Sequence, residues 1–147
     1  MVALLAGASL LACGSPGELS VEDAYVVPSP SGTGPAGGFL VLRNESGTMR
    51  SLVGADSPHA ARVELHRSWI EDGVARMARE EAIQVPAGTT VRFEPGGLHL
   101  MLFDAQLTPG RPVPLRLWFD DGSLREVVAR VAADAGDSHA GHEHHAH

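Results

Sequence analysis

The sequence predicts an all-β domain of the sandwich or small-barrel type. Short runs rich in Val, Leu, Phe and Trp recur along the chain, clusters of turn-forming residues separate them at sandwich spacing, and no long stretch has a helical period. The first run, 20–27, stops at Pro28-Ser29-Pro30-Ser31-Gly32, and the second, 38–44, stops at Asn44-Glu45-Ser46-Gly47. Proline and glycine there break the extended pattern and favour turns. Run 51–55 is short. Runs 61–69 and 74–79 flank Ile70-Glu71-Asp72-Gly73 and read as a hairpin. Pro86-Ala87-Gly88 precedes 89–93, and Pro95-Gly96-Gly97 precedes 99–103. The last two runs are 113–119 and 124–129. In the first of them Val113, Leu115, Leu117 and Phe119 alternate with Pro114, Arg116 and Trp118, the period of a strand with one buried face. Asp121-Gly122 turns that strand back into Leu124, and this hairpin is expected to close the fold.

With 147 residues and 44% apolar side chains, the chain suits one folded domain with a core of its own. Its 11 basic residues, all Arg, face 18 acidic ones, for a formal net charge of -7. That balance gives no basic footprint for nucleic acid, and an acidic surface suits a carrier of cations. Residues 1–12 read as a targeting segment rather than part of the fold. Their apolar run is too short to span a bilayer. Leu10-Leu11-Ala12-Cys13 resembles the lipobox of bacterial lipoproteins, in which the Cys is lipidated. Cys13 would then anchor the chain, and residues 13–18 would tether a domain spanning 19–131. Cys13 is the only cysteine, so no intramolecular disulfide can form; once lipidated, it leaves no thiolate for a metal.

Two imidazoles and two thioethers stand out at His66, Met77, His99 and Met101, spaced His-x10-Met-x21-His-x-Met. In Leu98-His99-Leu100-Met101-Leu102 the period of two sends the leucines to one face and His99 with Met101 to the other. The other pair depends on the hairpin turn. With Glu71-Asp72 as the loop, Met77 faces His66; with Asp72-Gly73, it faces Ser68 and lies diagonal to His66 on the same face. A three-residue loop would send Met77 to the opposite side. Met49 reads as a loop or strand-edge residue, and His59, after Pro58, as exposed and at most a peripheral ligand.

The same spacing, with Val63-Glu64-Leu65-His66 before it, Ile83-Gln84-Val85-Pro86-Ala87-Gly88 within it and Pro95-Gly96-Gly97-Leu98-His99-Leu100-Met101-Leu102 closing it, resembles the PCuAC family of bacterial periplasmic copper chaperones. The resemblance covers roughly residues 19–131. It implies a cupredoxin-like Greek-key β-sandwich that binds one Cu(I) through His66, Met77, His99 and Met101. It further implies delivery of copper toward the CuA centre in the copper subunit of cytochrome c oxidase, beside a thioredoxin-like Sco-type partner. Many members carry a second Met directly after the first His, where this chain has Arg67.

The chemistry of these side chains is consistent with that implication. Cu(I) is soft and accepts low coordination numbers, so thioether and imidazole can hold it without thiolate. In an oxidising compartment a dithiolate site would risk forming a disulfide. Neutral ligands also bind less tenaciously than thiolates, which favours transfer over storage. A blue-copper electron carrier would need a Cys in the site, and Cys13 lies outside the strands.

Residues 132–147 form a polar stretch with too little apolar content to fold, ending in His139, His142, His144, His145 and His147. Imidazole clusters bind divalent ions with Cu(II) favoured, so this tail is expected to capture Cu(II) near the folded site. Two other function classes fit the sequence: a metal-buffering or copper-resistance lipoprotein dominated by the tail, and a structural β-sandwich without a metal role. An enzyme is not expected, because no Ser/His/Asp arrangement, nucleophilic Cys or phosphate-binding glycine loop is present.

Overall fold

The structure, a computed structural model, describes residues 17–132. Residues 1–12, expected to be a targeting segment, lie outside the described residues, as do Cys13 and the tail histidines. Within them the chain forms ten strands and no helix: β1 (Leu19–Val27), β2 (Ala36–Asn44), β3 (Arg50–Asp56), β4 (Arg62–Glu71), β5 (Val74–Glu80), β6 (Ile83–Val85), β7 (Thr90–Phe93), β8 (Leu98–Phe103), β9 (Val113–Phe119) and β10 (Leu124–Val131).

All nine expected strands are present. The tenth, β6, was not expected, because three residues before a proline are too few to show a period. It forms because β3 offers a free edge: Arg50, Ser51 and Leu52 pair with Val85, Gln84 and Ile83, and both Ile83 and Val85 are buried.

The strands follow the order β5-β4-β8-β2-β1-β10-β9-β3-β6, with β7 also on β2. Ala55 pairs with Val63 across β3 and β4, closing the path into a barrel-like sandwich. The order crosses over rather than following the chain, the connectivity of a Greek-key sandwich. Every pairing is antiparallel except β1 with β10, where Tyr25 meets Arg130. The last hairpin therefore closes the fold against the first strand. Its turn is built on Asp121, whose Oδ1 accepts from Ser123 N at 2.9 Å. The hydroxyl and backbone N–H of Ser123 hold the Asp121 carboxyl below its ordinary value.

The core is the inward row of each alternating strand. Leu40, Leu42, Leu52, Leu100, Leu102, Leu115 and Leu117 are fully buried in one cluster. Full burial of such a side chain contributes roughly 1.5–3 kcal/mol relative to leaving it in water. Gly38 lets β2 approach β8, because a Cβ there would lie 3.0 Å from the Leu100 Cβ. That packing fixes which face of β8 turns outward.

Candidate metal centre

β8 lies between β2 and β4, and β4 between β8 and β5, so three adjacent strands carry the four residues His66, Met77, His99 and Met101. Burial of Leu100 and Leu102 turns His99 and Met101 to the outer face of β8. His66 pairs directly with His99, and their rings stand 5.7 Å apart between centroids at 38°. Glu64 occupies the register position opposite Met101. On the other side, Ser68 pairs with Met77 and His66 with Arg79, which puts Met77 diagonal to His66 on the same face.

The turn that fixes this register is Asp72-Gly73. Glu71 pairs with Val74, and the two residues between them have φ of 51° and 76°. Positive φ at both positions is the type I′ geometry that suits the right-handed twist of a hairpin. Inserting one alanine between Asp72 and Gly73 lengthens the loop to three residues and rotates Met77 off the site face. X-ray absorption of the Cu(I)-loaded variant should then show a shell poorer in sulfur than that of the native chain; an unchanged shell would exclude Met77 as a ligand.

The four residues differ in exposure in a way that builds a shallow site. His66 is buried at 8%, His99 and Met101 are half-buried, and Met77 stands at the rim at 51%. The His99 Nδ1–H donates to the Gly97 carbonyl at 3.0 Å, so in the neutral ring Nε2 carries the lone pair. The His66 Nε2–H donates to Glu64 Oε2 at 2.9 Å. His66 Nδ1 is buried and has no hydrogen-bond partner. The hydrogen bond from His66, and after it the one from Arg62, holds the Glu64 carboxyl below its ordinary value.

These donors fit a soft ion. Two thioethers and two imidazoles with lone pairs share one face, and the orphaned Nδ1 is a buried donor of the kind a metal satisfies. Among the described residues no group of three His, Cys, Asp or Glu side chains is placed to hold a metal ion. On the same face the Met77 and Met101 thioethers are available as soft donors beside the two imidazoles.

The remaining sequence candidates fall elsewhere. Met49 is exposed just before β3, as expected. His59 is half-buried rather than exposed, because the segment after β8 covers it: Gln106 N donates to the His59 carbonyl at 2.7 Å and His59 Nδ1 lies 3.4 Å from the Gln106 carbonyl. Arg67 pairs with Leu98 and Ala78, so its parity places it on the opposite face from the site, where it bridges to Glu80 at 2.7 Å. Glu64 was not singled out from the sequence as a functional residue. Its position two residues before His66 was the signal available, since that spacing puts both on one face.

Comparison with known proteins adds to this geometry. The family model described as "Putative lipoprotein LpqE-like" matches residues 19–131. A protein of Leifsonia xyli subsp. xyli whose name also describes it as a lipoprotein is 31% identical over 121 residues, spanning 80% of this chain and 72% of its own. The copper-bound PCuAC domain from PmoF2 superposes with a TM-score of 0.67 at 24% identity, over 82% of this chain and 97% of its own, a likeness of fold. The solution structure of Cu(I)-bound DR1885 from Deinococcus radiodurans gives a TM-score of 0.65 at 27% identity, over 84% of this chain and 83% of its own.

Proposed function

Because the chain belongs to the LpqE-like family and has the fold of PCuAC copper-binding domains, we propose that it is a non-catalytic extracytoplasmic copper chaperone, anchored through Cys13. It takes Cu(I) on His66, Met77, His99 and Met101 and passes it toward the CuA centre of cytochrome c oxidase, directly or through a Sco-type thioredoxin-like partner. The observation that carries this reading is the register: His66 opposite His99, with Met101 and Met77 on the same face of neighbouring strands. A neutral, shallow, sulfur-containing site holds a soft ion and releases it to a thiolate acceptor. The copper bound by two structural relatives, the PCuAC domain from PmoF2 and DR1885, supports copper as the cargo.

X-ray absorption of the Cu(I)-loaded chain tests the site, using a full-length variant in which His139, His142, His144, His145 and His147 are replaced by alanine. A mixed sulfur and nitrogen shell is expected; an all-nitrogen shell rejects the ligand set.

The five tail histidines favour a second role, capture of Cu(II) before it reaches the folded site. Titration of Cu(II) into the native chain should give a higher stoichiometry than into the variant lacking those histidines. Equal stoichiometries would remove the tail from the mechanism. A tail that dominated Cu(I) binding as well would move the protein toward metal buffering.

A further inference from the structure

We propose that Glu64 is a positioning residue that fixes the tautomer of His66, so that His66 presents Nδ1, and His99 presents Nε2, to a soft metal ion. The metal half of this inference rests on the site proposed above; the tautomer half stands on hydrogen bonding alone. A neutral imidazole has one N–H, and in His66 it is Nε2–H, donated to Glu64 Oε2 at 2.9 Å. Nδ1 therefore keeps its lone pair. That atom is buried without a partner, on the ring that faces His99 across the β4–β8 pair. A buried polar atom ordinarily has a partner, and a ring nitrogen whose companion nitrogen donates to a carboxylate is the usual arrangement of a metal-binding histidine.

The carboxylate itself is braced. Arg62 Nε donates to its other oxygen, Oε1, at 2.9 Å, and Arg79 Nη1 stands 3.9 Å from the same atom. Arg62 is held in turn over the Phe103 ring, with its guanidinium carbon 3.7 Å from the centroid. Glu64 thus has one oxygen committed to arginine and the other to His66, on a side chain only 16% exposed. Its register position opposite Met101 sets it beside the metal face without making it a fifth soft donor. His99 reaches the complementary state by backbone alone, through Nδ1–H to Gly97. The two histidines are therefore oriented by different devices and offer different nitrogens.

The test uses the full-length chain with histidine labelled in its ring nitrogens. Long-range proton–nitrogen correlation in the metal-free protein should find His66 protonated on Nε2 and His99 on Nδ1, and added Cu(I) should displace the His66 Nδ1 resonance most. In Glu64→Ala the single His66 tautomer gives way to a mixture. Its Cu(I) affinity, read by competition with a chromophoric chelator, falls by about 10–100-fold, the range seen when an outer partner of a ligand is removed. Glu64→Gln, whose side-chain oxygen still accepts from Nε2–H, recovers most of that loss. A glutamate with only a structural role would leave the tautomer unmoved in both variants.

Protonation of native His66 on Nδ1 overturns the inference. So does a Glu64→Ala affinity that is unchanged or tighter, the latter being the mark of a carboxylate competing with metal for one nitrogen. If Cu(I) moves neither His66 nor His99 in the native chain, the proposed function fails instead, and the metal-free spectrum still reports the tautomer.

Discussion

His99→Ala is expected to abolish Cu(I) binding at the folded site while leaving the fold intact, and Met101→Ala to weaken it severely. Both side chains stand on the outer face of β8 and contribute nothing to the inward leucine row. Loss of a direct ligand should exceed the effect of losing an outer partner, so affinity should fall by more than about 100-fold for His99→Ala. Measurement is by chelator competition in a background where the five tail histidines are alanine, so that the tail cannot mask the loss. Retention of native affinity by both variants would show that the thioether and imidazole pair on β8 is not where copper sits.

The neighbouring residue should behave in the opposite way. Leu100 is fully buried, and Leu100→Ala removes packed volume from the centre of the core, which costs about 2–5 kcal/mol. A domain of this size has a total stability of about 5–15 kcal/mol, so that single change takes a large share of it. Denaturant unfolding followed by the two Trp residues reads this as a fall in midpoint with little change in slope. A loss below about 1 kcal/mol would mean that the surrounding leucines collapse into the space. The contrast is the informative part: along His99-Leu100-Met101, alternate residues face the proposed metal site and the core, and substitutions should sort by parity.

Much of this was readable in the sequence because the period of a strand is local. The apolar row Val113, Leu115, Leu117 and Phe119 announced its buried face, and the structure buries all four. The outward direction of His99 and Met101 followed from the leucines between them in the same way. The His66–Met77 relation was readable only up to a choice of loop: Glu71-Asp72 and Asp72-Gly73 both keep Met77 on the face of His66, while a three-residue loop would send it to the opposite side. Positive φ at Asp72 and Gly73 settles it, putting Met77 opposite Ser68 rather than His66. Strand β6 is not legible in the sequence because its stability lies in pairing with β3, a contact distant in the chain.

By itself, then, the sequence determined the fold class, the faces on which the side chains of β8 and β9 fall and a list of candidate soft donors. These depend on alternation and turn chemistry within a few residues. Only the tertiary structure decided that β4 lies between β5 and β8, that His66 meets His99, and that Glu64 takes the Nε2–H of His66. Those facts depend on which strands become neighbours, and strand order in a sandwich is set by how the whole core packs rather than by any one segment.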